Sequence, residues 1–501
     1  MNTQNKKQSF ILLALLAILT LFASGRWNFP LAGWIATIIG IRFYRQSEKG
    51  KRAFLLIWLA TAVPTIIAWQ GATAMYFIHP VAETLFFGLM APITLLPYVI
   101  DRSYYRRLQK NGSTPFWVTL VFPIAVAAMD FFSASGSPFG TFGAGAYSQS
   151  GFTALMQITS ITGIWGIPFI VAWFGSVVNY FWENDFRWTK IRSGAWIYAG
   201  FMILVLGFGF GRMLFAPAPK QDVLIAGFSL PEGEFSSLME LSHGDDTAAF
   251  QTAANELNAR QIDKIRTLAQ SGAKIVVLQE GASIGYPEDT ETLLVNAAEV
   301  AQSENVYIVL PTLTIDPTGE TTFKNMVQII DPSGEIVLEH IKFGGNLFEG
   351  SLAGSGELQT VDTPYGKLSA VICWDADFSL IMKQAGEKNV DLLFIPSEDW
   401  FELRDIHADM ATFRAIENGT SIFRHAGAGV SSVTDAYGRI VNRVDMFETE
   451  SNTAWSNEQM VLTPIGSVET TYSKIGDAFG QIMLLTFIGL SIFGWLKRKK
   501  A

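Results

Sequence analysis

Long apolar runs, broken at every second turn by clusters of lysine and arginine, fill the N-terminal part of the chain and restrict it to folds that bury such runs in lipid. A bilayer crossing takes roughly 20 apolar residues. Candidate spans lie at Phe10–Ala23, Phe29–Ile41, Ala53–Gln70, Thr84–Ile100, Phe116–Phe132, Phe152–Phe181, Gly194–Gly211 and Phe479–Leu496, which makes about eight. Lys6 and Lys7 precede the first, and Arg42, Arg45, Lys49, Lys51 and Arg52 follow the second. Arg102, Arg106, Arg107 and Lys110 follow the fourth, Arg187, Lys190 and Arg192 the sixth, and Lys497 to Lys500 the last. Cationic loops accumulate on the cytoplasmic side, so this parity places both termini in the cytoplasm and everything between the last two spans outside. The basic start and Ala23-Ser24-Gly25 also fit a signal peptide, although further spans follow at once.

From about Lys220 to Ile475 the charge distribution changes to that of an ordinary globular protein, long enough to bury its own core. The organisation expected is therefore a helical membrane domain over 1–215, an exported domain over 220–475, and a last span with a basic tail over 477–501. A net charge of −9, with the cations beside apolar spans, argues against a nucleic-acid partner. No internal repeat stands out. Asp130, at the end of an apolar run, is a candidate functional group by its depth, or an interface residue before Ser133-Ala134-Ser135-Gly136. The loop from Ser137-Pro138-Phe139-Gly140 to Gln149 is rich in glycine and aromatics, which suits a lipid entrance or a tight interhelical turn.

In the exported domain, strand-like runs at 223–228, 274–278, 306–311, 326–330, 368–372, 391–395, 420–423 and 429–434 alternate with helical patterns at 255–269, 293–303, 377–387 and 406–418. That alternation predicts an α/β layered fold. Asp331-Pro332-Ser333-Gly334 and Asp435-Ala436-Tyr437-Gly438 read as turns between paired strands, so the sheet should be mixed.

Cys373 is the sole cysteine, so it is either an apolar filler or a working thiol. It closes the buried-type run Leu368-Ser369-Ala370-Val371-Ile372, and a helix beginning near Asp375 would place the thiol under backbone N–H groups that favour a thiolate and an oxyanion. A thiol nucleophile needs a base. His243, His340, His407 and His425 are available, but none sits at a strand end in a cysteine-protease context. Glu280 ends the run Lys274–Gln279, and Lys342 follows the run Gly334–Ile341. Three strand ends thus offer Glu, Lys and Cys in chain order.

At these residues the sequence resembles the nitrilase, or carbon–nitrogen hydrolase, superfamily, whose Glu–Lys–Cys triad lies on an αββα sandwich. Pro396-Ser397-Glu398-Asp399-Trp400, Arg414-Ala415-Ile416-Glu417-Asn418-Gly419 and Gly427-Ala428-Gly429-Val430-Ser431 look like the later segments of that superfamily. The flanking spans, with Gly145-Ala146-Tyr147-Ser148-Gln149 and Gly163-Ile164-Trp165-Gly166-Ile167-Pro168-Phe169, narrow the resemblance to the apolipoprotein N-acyltransferase family over nearly the whole chain. The resemblance implies Glu280 as general base, Lys342 as transition-state stabiliser, Cys373 as nucleophile, the Trp374 backbone N–H as an oxyanion donor, and Glu349, Asp375 and Trp400 as supporting groups. Asp375 stands where these acyltransferases more often carry Glu, and Lys342-Phe343-Gly344-Gly345-Asn346-Leu347-Phe348-Glu349 replaces their usual Pro-Phe-Gly-Glu run.

The implied reaction is ping-pong transfer of an acyl chain from a phospholipid to the α-amine of a diacylglyceryl-cysteine lipoprotein through a Cys373 thioester, with no metal or other cofactor, in a bacterial inner membrane. A membrane-tethered amidase, an acyltransferase with another amine acceptor, and a non-catalytic lipid-binding scaffold are the alternatives.

Overall fold

The computed structural model describes residues 3–109, 114–231, 233–316, 318–320, 323–448 and 455–499. Lys110 and Lys500, two cations of the charge pattern, lie outside the described residues. The chain divides into two compact units, one of Met1–Ser137, Phe142–Phe215 and Ile475–Ala501, the other of Pro138–Thr141 and Ala216–Lys474.

The first unit is helical. Among the described residues, four helices are long and apolar enough to cross a membrane: Gly50–Trp69, Pro80–Leu108, Phe116–Ser135 and Trp188–Leu214. Leu85, Leu89, Ile203 and Leu204 are each more than half exposed on them, a surface suited to lipid rather than water. Lys7–Leu21 and Ala478–Gly494 are apolar but shorter, and Pro30–Gln46 runs for 17 residues. The run expected to form one span at Phe152–Phe181 is instead broken: Thr153–Thr162 and Gly166–Glu183 meet at 118°. Gly163, at φ +61, makes that break, a conformation open to glycine, directly after the polar-interrupted run Thr159-Ser160-Ile161-Thr162. Arg45 is likewise no loop cation. It lies on the last turn of Pro30–Gln46, buried, with Nη2 2.6 Å from Asp101 Oδ1 and Nη1 3.2 Å from Glu183 Oε1, so one guanidinium joins three helices. Asp130 accepts the Gly145 N–H at 3.2 Å with each carboxylate oxygen and so fixes the loop entering the Gly145–Gln149 turn.

The second unit is a sandwich of two mixed sheets. Its strands are β1 Gln221–Ser229, β2 Ile275–Leu278, β3 Ser283–Gly285, β4 Tyr307–Ile315, β5 Phe323–Ile330, β6 Ile336–Ile341, β7 Val361–Thr363, β8 Gly366–Ala370, β9 Leu392–Glu398, β10 Ser421–Gly427, β11 Val430–Thr434, β12 Ile440–Asp445 and β13 Ser456–Ile465. One sheet runs β13-β1-β2-β4-β5-β6, with β3 beside β4; the other runs β12-β11-β10-β9-β8-β7. Parallel pairs at β1/β2, β2/β4, β8/β9 and β9/β10 sit among antiparallel neighbours. Both turns read from the sequence join antiparallel strands, β5 to β6 and β11 to β12. In the first, Asp331 Oδ1 accepts from the Ser333 and Glu335 N–H groups while Gly334 takes φ +83.

Ile225, Val277, Val309 and Ile329 of one sheet pack on Ala370, Leu392, Phe394 and Phe423 of the other, forming the central core. Helices α1 Thr247–Gln270 and α2 Pro287–Glu304 cover the outer face of the first sheet, with Ile265, Leu268, Leu293 and Val300 buried beneath them. Helices α3 Ser379–Glu387 and α4 Arg404–Asn418 cover the second, through Ile381, Met382 and Ala415 against Leu393 and Ile395. The layers are therefore αββα. Helices α1, α2 and α4 begin earlier than their apolar patterns suggest because polar first turns carry no period, α1 at an Asp246 cap whose Oδ1 accepts from the Ala249 N–H, whereas α3 begins later because Asp377 belongs to a 3₁₀ turn.

Candidate active site

The strand ends converge on one buried cluster. Glu280 follows β2 by two residues, with Gly281 at φ +64 turning the chain where a Cβ would sit 2.6 Å from the Phe235 ring. Lys342 directly follows β6, and Cys373 follows β8 by three residues. Lys342 Nζ donates to Glu280 Oε1 at 2.7 Å and to Glu349 Oε1 at 2.5 Å. Asn325 Nδ2 also donates to Glu280 Oε1 at 2.7 Å, and the Glu398 N–H donates to Oε2 at 3.0 Å. Burial alone would drive the Lys342 ammonium toward neutrality, but the charges of Glu280 and Glu349 outweigh it and hold the pKa well above the usual lysine range. Burial raises the Glu349 carboxyl, against the opposing pull of Lys342.

Cys373 does not sit under a regular helix as the sequence suggested. It opens a short 3₁₀ turn, Cys373–Asp377, at φ +44, a left-handed conformation that costs a non-glycine residue about 1–3 kcal/mol and is typical of functional sites. Burial, then the Glu280 charge, push its thiol up to about 11, against Lys342 and His407. At neutral pH the group is a thiol, and an acceptor must take its proton before the sulfur can attack.

Asp375 is the staple of the turn. Its Oδ1 accepts from the Phe343 N–H at 2.9 Å and the Gly344 N–H at 2.7 Å; its Oδ2 accepts from the Ile372 N–H at 3.0 Å and lies 2.8 Å from His340 Nε2. One carboxylate thus ties the segment leaving Lys342 to the segment entering Cys373. Trp374 lies against Phe348, at 5.7 Å between ring centroids and 23°, and against Phe139, at 5.7 Å, while Phe139 stacks on Phe348 at 4.8 Å. The Thr141 N–H donates to the Asp377 carbonyl at 2.8 Å, which seats the Pro138–Thr141 segment beside the turn. The Trp400 carbonyl accepts from the Leu403 and Arg404 N–H groups at the head of α4.

Two partners escaped the sequence reading as site residues, and a third was weighed as a base and set aside. Asn325 and the Glu398 N–H hold Glu280, and Glu398 itself, bonded to Gln279 Nε2 at 2.7 Å, is held well above the carboxylate range by burial and by the Glu280 and Asp399 charges. The signal was the same one used for the triad, since Glu398 closes the buried strand β9. The third is His407. Cys373 Sγ, an Asp399 oxygen and a His407 nitrogen lie mutually within 4.8 Å, a spacing that suits a metal ion. Asp399, however, is already engaged by Arg424 Nη2 at 2.6 Å and His407 Nδ1 at 2.9 Å, so a cation there would displace a guanidinium. The donor set is that of an ion-pair network, not of a metal cage.

Residues 238–463 match the family described as carbon-nitrogen hydrolase, and residues 14–177 match the apolipoprotein N-acyltransferase N-terminal domain. The apolipoprotein N-acyltransferase of Geobacter metallireducens is 21% identical, with 78% of this chain and 76% of the relative covered. Apolipoprotein N-acyltransferase 1 of Treponema denticola is 22% identical, with 97% and 96% covered. Among solved structures, an amidase from Nesterenkonia sp. aligns at TM-score 0.37 and 14% identity, covering 52% of this chain and 94% of its own.

Proposed function

Since the chain belongs to the apolipoprotein N-acyltransferase family and is an acyltransferase, we propose that it moves an acyl chain from a phospholipid to the N-terminal amine of a diacylglyceryl-cysteine lipoprotein through a thioester on Cys373. The observation that supports this most is the buried Lys342–Glu280 pair at 2.7 Å, whose charges act on a lone cysteine held in a left-handed turn. In the first half-reaction Glu280 takes the Cys373 proton, the C–S bond forms, the ester C–O bond breaks, and the proton passes to the departing lysophospholipid oxygen. Lys342 Nζ and the Trp374 backbone N–H steady the oxyanion. In the second, the amine attacks the thioester, the C–N bond forms, the C–S bond breaks, and Glu280 returns the amine proton to sulfur. Glu349 and Asp375 act by holding Lys342 and the Cys373 turn; Trp400 is assigned to the substrate approach.

The helical unit serves this chemistry by keeping donor and acceptor in lipid, where exclusion of water favours aminolysis over hydrolysis. We place the chain in a bacterial inner membrane with eight crossings, the shorter apolar helices and the bent pair included, and the sandwich on the outer side; the support is the alternation of basic loops. The test is reconstitution in phospholipid vesicles with a synthetic diacylglyceryl-cysteine peptide, followed by mass spectrometry of the peptide. Amide-linked acyl at its N-terminus is expected. Release of free fatty acid with the amine untouched would instead make the protein a lipid hydrolase.

A further inference from the structure

The second constellation around the sulfur is not used by the scheme above. His407, at the start of α4 and 4% exposed, faces charged groups from three other elements: Asp377 of the 3₁₀ turn, Asp399 after β9, and Arg424 of β10, besides Cys373 itself. Its Nδ1 is 2.9 Å from Asp399 Oδ1 and its Nε2 is 3.6 Å from Asp377 Oδ2. With a carboxylate in front of each ring nitrogen, a neutral imidazole would turn a lone pair on one of them. A proton on each nitrogen gives both carboxylates a cationic neighbour: Nδ1 hydrogen-bonds to Asp399, while Nε2 faces Asp377 as an ion pair beyond hydrogen-bond length and has no hydrogen-bond partner among the described residues. Arg424 works against this, its Nη2 lying 3.3 Å from Nδ1, but the same guanidinium is neutralised by Asp399 Oδ2 at 2.6 Å. Asp377 then remains for the imidazolium, and neither of its oxygens has a hydrogen-bond partner among the described residues. The electrostatics agree: burial would depress His407, yet Asp377 and Asp399 hold it well above the usual histidine range.

We propose that His407 is a permanent imidazolium that serves as the counter-ion of the Cys373 sulfur, stabilising the thiolate as it attacks the ester and again as it leaves the thioester. This rests on Cys373 being the nucleophile, and it makes His407 a cationic support rather than a base. Its two protons stay in place through both half-reactions, while Glu280 carries the transferred one. The sulfur then feels two cations, Lys342 after β6 and His407 of α4. That arrangement counters the cost of charging a buried sulfur, which burial alone makes severe.

Because the chain has one cysteine, its reactivity is read without interference by alkylation of the detergent-solubilised protein with iodoacetamide. His407→Gln should slow alkylation at pH 8 about tenfold, one pKa unit of thiolate. His407→Lys, which keeps the cation, should restore most of it; loss of packing alone would give no such rescue. Alkylation of His407→Gln at the wild-type rate, with the wild-type melting temperature, would overturn the proposal. For the case where the variants do not fold, ¹⁵N-histidine spectra of the wild type give the answer directly. The histidine signal displaced by alkylation of Cys373 should show two protonated ring nitrogens at pH 8, and a neutral ring there would equally overturn it. Neither readout depends on acyl transfer, so failure of the counter-ion and failure of the acyl-enzyme are distinguishable.

Discussion

Replacing Glu280 by Gln separates the two effects that this carboxylate has on the sulfur. All its partners are donors: Lys342 Nζ and Asn325 Nδ2 on Oε1, and the Glu398 N–H on Oε2. A glutamine of the same shape must turn its NH₂ toward at least one of them, and a buried donor left without an acceptor costs about 1–3 kcal/mol. Among the described residues, Lys342 then keeps Glu349 as its ion-pair partner. The proton acceptor is also gone, which removes about 10²–10⁴ in rate from a step that depends on general base catalysis. The thiol should respond in the opposite sense. After burial, the Glu280 charge is the largest influence raising Cys373, so its removal should lower the thiol pKa from about 11 by on the order of one unit, roughly tenfold more thiolate at a given pH. Iodoacetamide alkylation from pH 7 to 11, run beside acyl-adduct formation followed by intact-protein mass, should show Glu280→Gln alkylating faster and acylating far more slowly than wild type. If both rates fall together, or both rise, Glu280 is not the acceptor of the Cys373 proton.

Asp375→Ala strips the acceptor from three backbone N–H groups, those of Phe343, Gly344 and Ile372; a loss on the order of 3–5 kcal/mol should appear as a large drop in melting temperature together with loss of acylation. Arg45→Ala leaves Asp101 and Glu183 buried without their cation, and about 3–5 kcal/mol should be lost in detergent melts with the Cys373 alkylation profile unchanged. His425, among Ser229, Ser431 and Gln459, is lowered to about 4 by burial, so the unfolded chain binds its proton first as pH falls. Its contribution is complete above the unfolded value of 6.5 and is lost between about 6.5 and 4, amounting to about 3 kcal/mol. Melts of His425→Gln should accordingly be flatter than wild type across that window.

What the sequence disclosed was local. The change in charge texture near Lys220, the Asp-Pro-Ser-Gly turn, and the polar residues closing buried strands are each written in a few adjacent positions, and they led to Glu280 and Lys342, which the structure sets 2.7 Å apart. Asp375 drew attention by resemblance, but its four-donor staple depends on two segments that meet only in the fold. The break at Gly163 was missed although Gln157, Thr159, Ser160 and Thr162 interrupt the apolar run before it, because single polar residues such as Thr61 also occur within the unbroken helix Gly50–Trp69. Arg45 reads as a loop cation until Asp101 and Glu183 are brought to it from other helices. His407 was set aside because it ends no strand. Its significance comes from Asp399, Asp377 and Arg424, contributed by three separate elements.

The central claim is the acyl-enzyme on Cys373, and intact-protein mass spectrometry of the detergent-solubilised protein incubated with one defined phospholipid tests it most directly. The wild type should gain the mass of one fatty acyl chain, lose it to neutral hydroxylamine, and lose it equally when the diacylglyceryl-cysteine peptide is added; Cys373→Ala should gain nothing. An adduct that persists in Cys373→Ala, or a wild type that transfers acyl chains to the peptide without ever carrying one, would contradict the account.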